Sequence, residues 1–305
     1  MKEKSPRNIA ASIHRRLLNL ARERGDDFQI VLTHYAIERL LYRLSRSPHA
    51  DRFLLKGAML MAVWTSQPYR PTRDLNLSGR GDSSVAGMES IFRDLCQLSV
   101  ENDGLAFDGA SVQGAPIRED QEYEGVRVML VAALGKARIV LQVDIGFGDS
   151  VVPAPQALAY PTLLDLPAPE MKAYPRETVV AEKFQAMVAL GAVNSRLKDF
   201  YDVWLLARLF KFEGPTLSHA IGSTFARRGT PLPSQTPSAL TDEFISDHMK
   251  QTQWRAFISR GRFIESPPPF AELVAFLRDF MMPPADAAIR GHGFGMRWYP
   301  GGPWR

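Results

Sequence analysis

The sequence predicts an α+β chain, with an N-terminal half that mixes helices and strands and a C-terminal half that is all helical. Three observations carry this. Apolar residues recur at helical spacing over residues 7–47. Two strand-like runs, 123–134 and 136–149, meet at a tight Leu134-Gly135-Lys136 connection and so form a hairpin. From Thr178 onward the alternation stops and helical periodicity takes over.

In chain order, IAASIHRRLLNLAR aligns Ile9, Ile13, Leu17 and Leu20, and the following helix aligns Ile37, Leu40, Leu41 and Leu44. Thr33 is the expected cap of that second helix, and Ser47-Pro48 ends it. FLLKGAMLMAVWT (53–65) enters a core helix after a short apolar stretch, RDLNL (73–77) reads as a strand, and SSVAGMESIFRDLCQLSV is an amphipathic helix. VVPAPQALAYPTLLDLPAPEMKAYPRE is proline-rich and extended, which suits a connector. TVVAEKFQAMVALG and SRLKDFYDVWLLARLF are helices broken at Gly191 and capped again near Asn194-Ser195. A further helix covers 216–228, and a last pair lies between 241 and 282. The Gly-, Pro- and aromatic-rich tail has no periodicity. The expected organisation is therefore an α/β domain (1–150), a connector (151–177), a helical domain (178–282) and a flexible tail (283–305).

A chain of 305 residues with 45% hydrophobic and 23% charged residues has ample core, and no apolar run reaches the ~18 residues of a membrane span. The charged, helical N-terminus does not resemble a signal peptide, so the cytoplasm is the expected compartment. Cys96 is the only cysteine, which excludes an internal disulfide and any multi-cysteine metal site. The net charge of +4 is compatible with nucleic acid without being diagnostic of it. Arginines cluster as Arg15-Arg16, Arg22/Arg24, Arg70/Arg73 and Arg227-Arg228, and their forked donors suit phosphate, although a solvated basic surface gives the same pattern. The six histidines show no metal-ligand spacing and no G-x-S-x-G elbow occurs, which argues against zinc and acyl-transfer hydrolases.

The chemistry-bearing residues sit in four places. Asp74 and Asn76, two apart on a strand, point to one face, and Asp144 on the 136–149 strand shares a face with Gln142. If the strands are neighbours, Asp74, Asn76 and Asp144 converge, as acids do where Mg²⁺ is held beside a triphosphate. The alternative is an ordinary polar sheet edge. Lys56-Gly57-Ala58 ahead of a helix would let backbone approach a phosphate. Lys183 lies in an apolar stripe with Val179, Val180 and Met187, so it either snorkels or has an anionic partner. Asp199 and Asp202 lie one helical turn apart, either facing Lys183 across the helical hairpin or pairing at the surface with Lys198.

The ordered set FLLKGA, RPTRDLNL, LQVDIGF, ETVVAEKFQAMVALG and RLKDFYDVWLLAR resembles the AbiEii/AbiGii-type nucleotidyltransferase toxin family over roughly residues 10–230. That resemblance implies a nucleotidyltransferase-fold domain with a small mixed sheet, plus a C-terminal helical bundle, with the site in the cleft between them. It implies a toxin of a type IV-like toxin–antitoxin or phage-defence pair. The toxin would use an NTP with Mg²⁺ (or Mn²⁺), an RNA, chiefly the tRNA 3′ end, and an antitoxin protein as partner. Carried over by residue, Lys56, Gly57 and Ala58 match the turn at the triphosphate. Asp74 and Asn76 match the D-x-D metal pair, Lys183 the phosphate lysine, and Asp199 the acid of the K-D motif, with Asp202 beside it. Asp144 is a third metal-ligand candidate.

Two departures stand out. Ala58 replaces a Gly or Ser, and Asn76 replaces the second aspartate, which removes a charge from the metal pair. A weakened fold acting only as a nucleotide-, RNA- or protein-binding module is therefore the alternative function. A kinase-like phosphotransferase ranks lower, because H-R-D and D-F-G signatures are absent.

Overall fold

The computed structural model describes residues 9–65, 74–117, 125–261, 263–291 and 293–305, which divide into two units. Arg70, Thr72 and Arg73 of the RPTR segment lie outside the described residues. Unit one is Met1–Gly148 with Gln156–Ala173; unit two is Asp149–Pro155 with Tyr174–Arg305.

Unit one begins with α1 (Ile9–Arg24) and α2 (Phe28–Arg46). Asp27, not Thr33, caps α2, accepting from the Ile30 N–H at 3.1 Å. Thr33 is inside the helix and its hydroxyl donates to the Gln29 carbonyl. The helix starts earlier than its apolar periodicity suggests because an acid at the cap position satisfies the first orphan N–H groups.

There follow β1 (Phe53–Lys56), α3 (Met59–Thr65), β2 (Asp74–Gly79), α4 (Val85–Gln97), β3 (Leu105–Pro116), β4 (Gly125–Leu134), β5 (Ala137–Phe147), β6 (Gln156–Ala159) and β7 (Glu170–Ala173). They form a seven-stranded mixed sheet in the order β3-β4-β5-β2-β1-β7-β6. β2 runs parallel to β5 and β1 parallel to β7, and the other neighbours are antiparallel.

Alternation on the hairpin decides which face is covered. Ile139, Leu141, Val143 and Ile145 of β5, with Val126, Val128, Leu130 and Ala132 of β4 and Leu75 and Leu77 of β2, are buried on one face. α2 packs against β5, and α4 against β3 and β4. The opposite face carries Asp74, Asn76, Gln142 and Asp144, all only partly covered. A buried Arg43–Asp103 pair ties α2 to the start of β3, with the two Asp103 oxygens accepting at 2.6 and 3.2 Å.

Three features of the sheet differ from the sequence reading. Phe53–Lys56 is a strand, not the lead-in to a long helix, because Gly57 turns the chain at φ +76°. β3 was not visible as a strand: its run LAFDGASVQGAP mixes small and polar residues and breaks register between Asp108 and Gln113. The segment expected as a connector supplies β6 and β7, so 156–173 belongs to unit one. The prolines of this segment flank the two strands, QALA and EMKA, and do not interrupt them, so every strand residue keeps its N–H.

Unit two contains α5 (Arg176–Leu190), α6 (Leu197–Leu209), the short β8 (Phe212–Glu213), α7 (Gly214–Arg227), α8 (Asp242–Ser246), α9 (His248–Arg260), α10 (Phe270–Arg290) and β9 (Arg297–Trp298). α5 ends at Gly191 in a positive-φ conformation, and the Asn194 side chain accepts from the Arg196 N–H just before α6.

The tail from 283, expected to be flexible, is instead packed. α10 continues through Pro283 and Pro284 to Arg290. Pro284 has no N–H to give the Phe280 carbonyl four residues back, and the Trp304 indole donates to that carbonyl at 3.1 Å. Near the C-terminal end of α6, the Ala207 carbonyl accepts from the Trp298 indole at 2.7 Å and from the Gly301 N–H at 3.0 Å. Phe280 stacks on Trp304, with centroids 5.9 Å apart.

Candidate functional site

Each unit presents one constellation. In unit one, strand register sets side chains next to each other without any help from loops. Lys56 of β1 pairs with Asn76 of β2, Asn76 with Asp144 of β5, and Asp144 with Arg127 of β4. Asp74 pairs with Gln142 one row along. Because paired residues share a face, Lys56, Asn76, Asp144 and Arg127 form one row across four strands, with Asp74 and Gln142 beside it.

Gly57 closes against this row. A Cβ built on it would stand 3.0 Å from the Asn76 Cβ and 3.2 Å from its amide nitrogen, and the residue sits at φ +76°. Both facts require glycine at this position. Ala58 follows, and α3 has seven residues, so any phosphate affinity there rests on the Gly57 backbone more than on a helix dipole.

Asp144 is not a free acid. The Arg127 fork grips it through two 2.8 Å hydrogen bonds, and the Gln142 amide donates to both its oxygens at 3.3 and 3.1 Å. The pairing raises the Arg127 pKa, through the Asp144 hydrogen bonds against the cost of desolvation, with a smaller contribution from Asp74.

The nucleotidyltransferase reading calls for a divalent ion. The Asp74 carboxylate and the Asn76 amide oxygen are hard donors on one face, and they suit an ion that takes its remaining ligands from water and a triphosphate. Asp144, expected as a third ligand, has its oxygens committed to Arg127 and Gln142. Among the described residues, no group of three or more His, Cys, Asp or Glu is arranged to hold a metal.

The second constellation joins α5 and α6. Lys183 Nζ lies 2.6 Å from Asp199 Oδ1 and 2.7 Å from Asp202 Oδ2, whose side chains are 3% and 0% exposed. Arg196 adds a 2.7 Å contact to the other Asp199 oxygen. Burial opposes the Asp199 charge, yet Lys183 and Arg196 hold its carboxyl below the ordinary carboxylate range. Asp202 is fully buried, so a surface pair with Lys198 does not describe it. The apolar stripe holding Lys183 is thus explained by two acids on the facing helix.

Sequence reasoning missed Arg127 and Arg196, and it placed Gln142 on the shared face without its hydrogen bonds to Asp144. Arg127 was recoverable: a hairpin that pairs Leu134 with Ala137 necessarily pairs residue 127 with residue 144. Arg196 stands three residues before Asp199, at the start of the helix.

The open face of the mixed sheet thus carries an acid–amide pair beside a glycine turn. A family model described as "Nucleotidyl transferase AbiEii toxin, Type IV TA system" matches residues 39–276, and the chain belongs to that family. Two solved structures are similar: JHP933 from Helicobacter pylori and an H. pylori protein provisionally assigned as a nucleotidyltransferase. Each is 13% identical to this chain, with TM-scores of 0.48 and 0.49; the matches span 87% of this chain and 95% and 99% of theirs. At that distance the likeness says nothing about this chain's chemistry. Among curated proteins, none matches.

Membership makes the chain a nucleotidyltransferase-type toxin of a toxin–antitoxin system, with an antitoxin as the implied partner. No helix among the described residues is long and apolar enough to cross a membrane.

Proposed function

We propose that the chain transfers a nucleotide from an NTP to the 3′-hydroxyl of an RNA, with tRNA as the substrate, and that this is its toxic or phage-defence activity. The observation that supports this most is the shared open face of Asp74 and Asn76 beside the Gly57 turn, in a chain of this family.

In this reading the RNA 3′-oxygen bonds to the α-phosphorus, the bond from that phosphorus to the bridging oxygen breaks, and pyrophosphate leaves. The hydroxyl proton passes to a carboxylate of the row. A divalent ion on Asp74 and Asn76 supplies charge neutralisation to the triphosphate when bound. Lys56 and the Gly57-Ala58 backbone orient the phosphates. In the helical unit, Lys183 is held in direction by Asp199 and Asp202. Arg15, Arg16, Arg22 and Arg24 lie exposed on α1 and would guide the RNA backbone.

The test is incubation with each labelled NTP in turn, Mg²⁺ and total tRNA. Label on RNA from one nucleotide is the expected result, and no label from any nucleotide contradicts the proposal. Asn76 favours a second reading, a fold that binds nucleotide, RNA or a protein without turnover. Asn76→Asp separates the two: activity that appears only in the variant supports the binding module, and activity already present in the wild type excludes it.

A further inference from the structure

The row in unit one is neutral as a set, because Lys56 and Arg127 balance Asp74 and Asp144. It gives a polyanionic acceptor no net pull of its own, so the attraction must come from beyond it. The β4–β5 hairpin supplies it. Its charged residues are Arg127, Lys136, Arg138 and Asp144. Arg127 is spent on Asp144, which leaves Lys136 and Arg138, both exposed. On the open face of β5, Val140 and Arg138 continue the line of Asp144 and Gln142 toward the hairpin turn, with Val131 and Ala133 of β4 paired beside them. Val140 is 47% exposed.

At the turn this line meets a groove of about 840 Å³ shared by α1, the chain entering β3 and the hairpin turn. Arg15, Leu18, Leu134 and Lys136 line it, with His14 and Asn102, and no acid does. Cations thus come from two walls, Arg15 on α1 and Lys136 on the turn, and most of the lining is apolar.

We propose that this line is the track of the acceptor RNA. The 3′ end lies at the row, the strand runs over Val140 and Arg138, and the backbone further from the end seats in the groove between Arg15 and Lys136. This rests on the RNA-transfer reading of the same row. An apolar surface with cations at intervals suits a single strand, whose bases bury their faces while its phosphates take the cations. Ala137 and Asp144 are seven residues apart on β5, about 24 Å of strand. A stacked single strand advances about 3.4 Å per nucleotide, so about seven nucleotides separate the reacting end from the groove. Contacts of this kind hold the RNA without reading its sequence.

Fluorescence anisotropy of a 5′-labelled twenty-nucleotide poly(U), titrated with the 305-residue chain in 0.1 M salt without NTP, tests the proposal. Losing one phosphate contact to a single strand lowers the salt exponent by about 0.7, which is about fivefold in affinity at that salt. Arg15→Ala, Lys136→Ala and Arg138→Ala, each confirmed folded by circular dichroism, should show both changes. Lys172→Ala removes an exposed cation from β7, which β1 and β2 separate from β5, and should show neither. A wild type that does not bind overturns the proposal, as does an equal loss in Lys172→Ala, which makes the attraction diffuse. RNA affinity indifferent to the three track cations also overturns it. If poly-glutamate affinity falls in those same variants, the groove takes an acidic protein segment instead. Binding needs no turnover, so a chain that transfers no nucleotide can still show the track. A chain that transfers while the three variants bind like the wild type keeps its transfer reading and loses the track.

Discussion

At the scale of single residues, the energetics concentrate where charge is buried. Lys183 sits between Asp199 and Asp202 in a pocket that water barely reaches. Removing one partner from such a group leaves a buried charge without compensation, which costs about 3–5 kcal/mol. Lys183→Met should lower stability by that amount in urea unfolding, and adding Asp199→Asn and Asp202→Asn should restore most of it. A loss below about 1 kcal/mol would show that the acids tolerate one another without the lysine.

Glu38 on α2 is the second such residue. Its side chain is 1% exposed, touches Arg39 at 3.0 Å and accepts from the Leu163 N–H at 2.7 Å. Burial pushes its carboxyl up to about 7, against the opposing pull of Arg39 and the Leu163 N–H. The folded chain therefore keeps a proton that the unfolded chain releases near 4.5. This contribution to stability is complete below about 4.5 and is lost as pH rises through about 7. Melting temperatures measured across that window should fall less for Glu38→Gln than for the wild type. Parallel curves would show that the group does not titrate in the fold.

At the scale of elements, the β1–α3 turn and the tail carry the testable claims. Gly57→Ala places a methyl group 3.0 Å from the Asn76 Cβ at φ +76°, so it strains the backbone and displaces the amide together. A stability loss of about 1–3 kcal/mol is expected from calorimetry, with a loss of transfer larger than the loss of folded protein. In the tail, Trp304→Phe keeps a ring against Phe280 but removes the N–H from its carbonyl. The cost is that of an unsatisfied buried acceptor, about 1–3 kcal/mol, read by denaturant unfolding.

These elements also show what could be read from sequence. The face shared by Asp74 and Asn76 and the β4–β5 hairpin follow from local alternation, and the helical period puts Lys183 in its apolar stripe. That Asp199 and Asp202 face Lys183, where a surface pair with Lys198 was the alternative, comes from the packing of α5 on α6. The packed tail is not legible locally either, because its structure comes from indole donors meeting carbonyls left open by Pro284 and by the end of α6, and no local pattern encodes those pairings. β6 and β7 were hidden for a related reason: prolines read locally as linker, and only the unpaired edge of β1 gives the segment a place in a sheet. Arg127 was hidden only because strand pairing was not carried across the turn.

At the scale of the whole molecule, the chain combines a mixed sheet carrying a sparse acidic row with a helical unit carrying a neutralised lysine cluster, in a family of nucleotidyl transferase toxins. The central claim is that Asp74 is the carboxylate the transfer chemistry needs despite Asn76 beside it. Rates of label transfer from NTP to tRNA in Mg²⁺, compared between wild type and Asp74→Asn at equal folded concentration, test it most directly. The account predicts transfer by the wild type and a drop of about 100-fold or more in the variant, the scale of losing a main electrostatic anchor. Equal rates in the two proteins would contradict it.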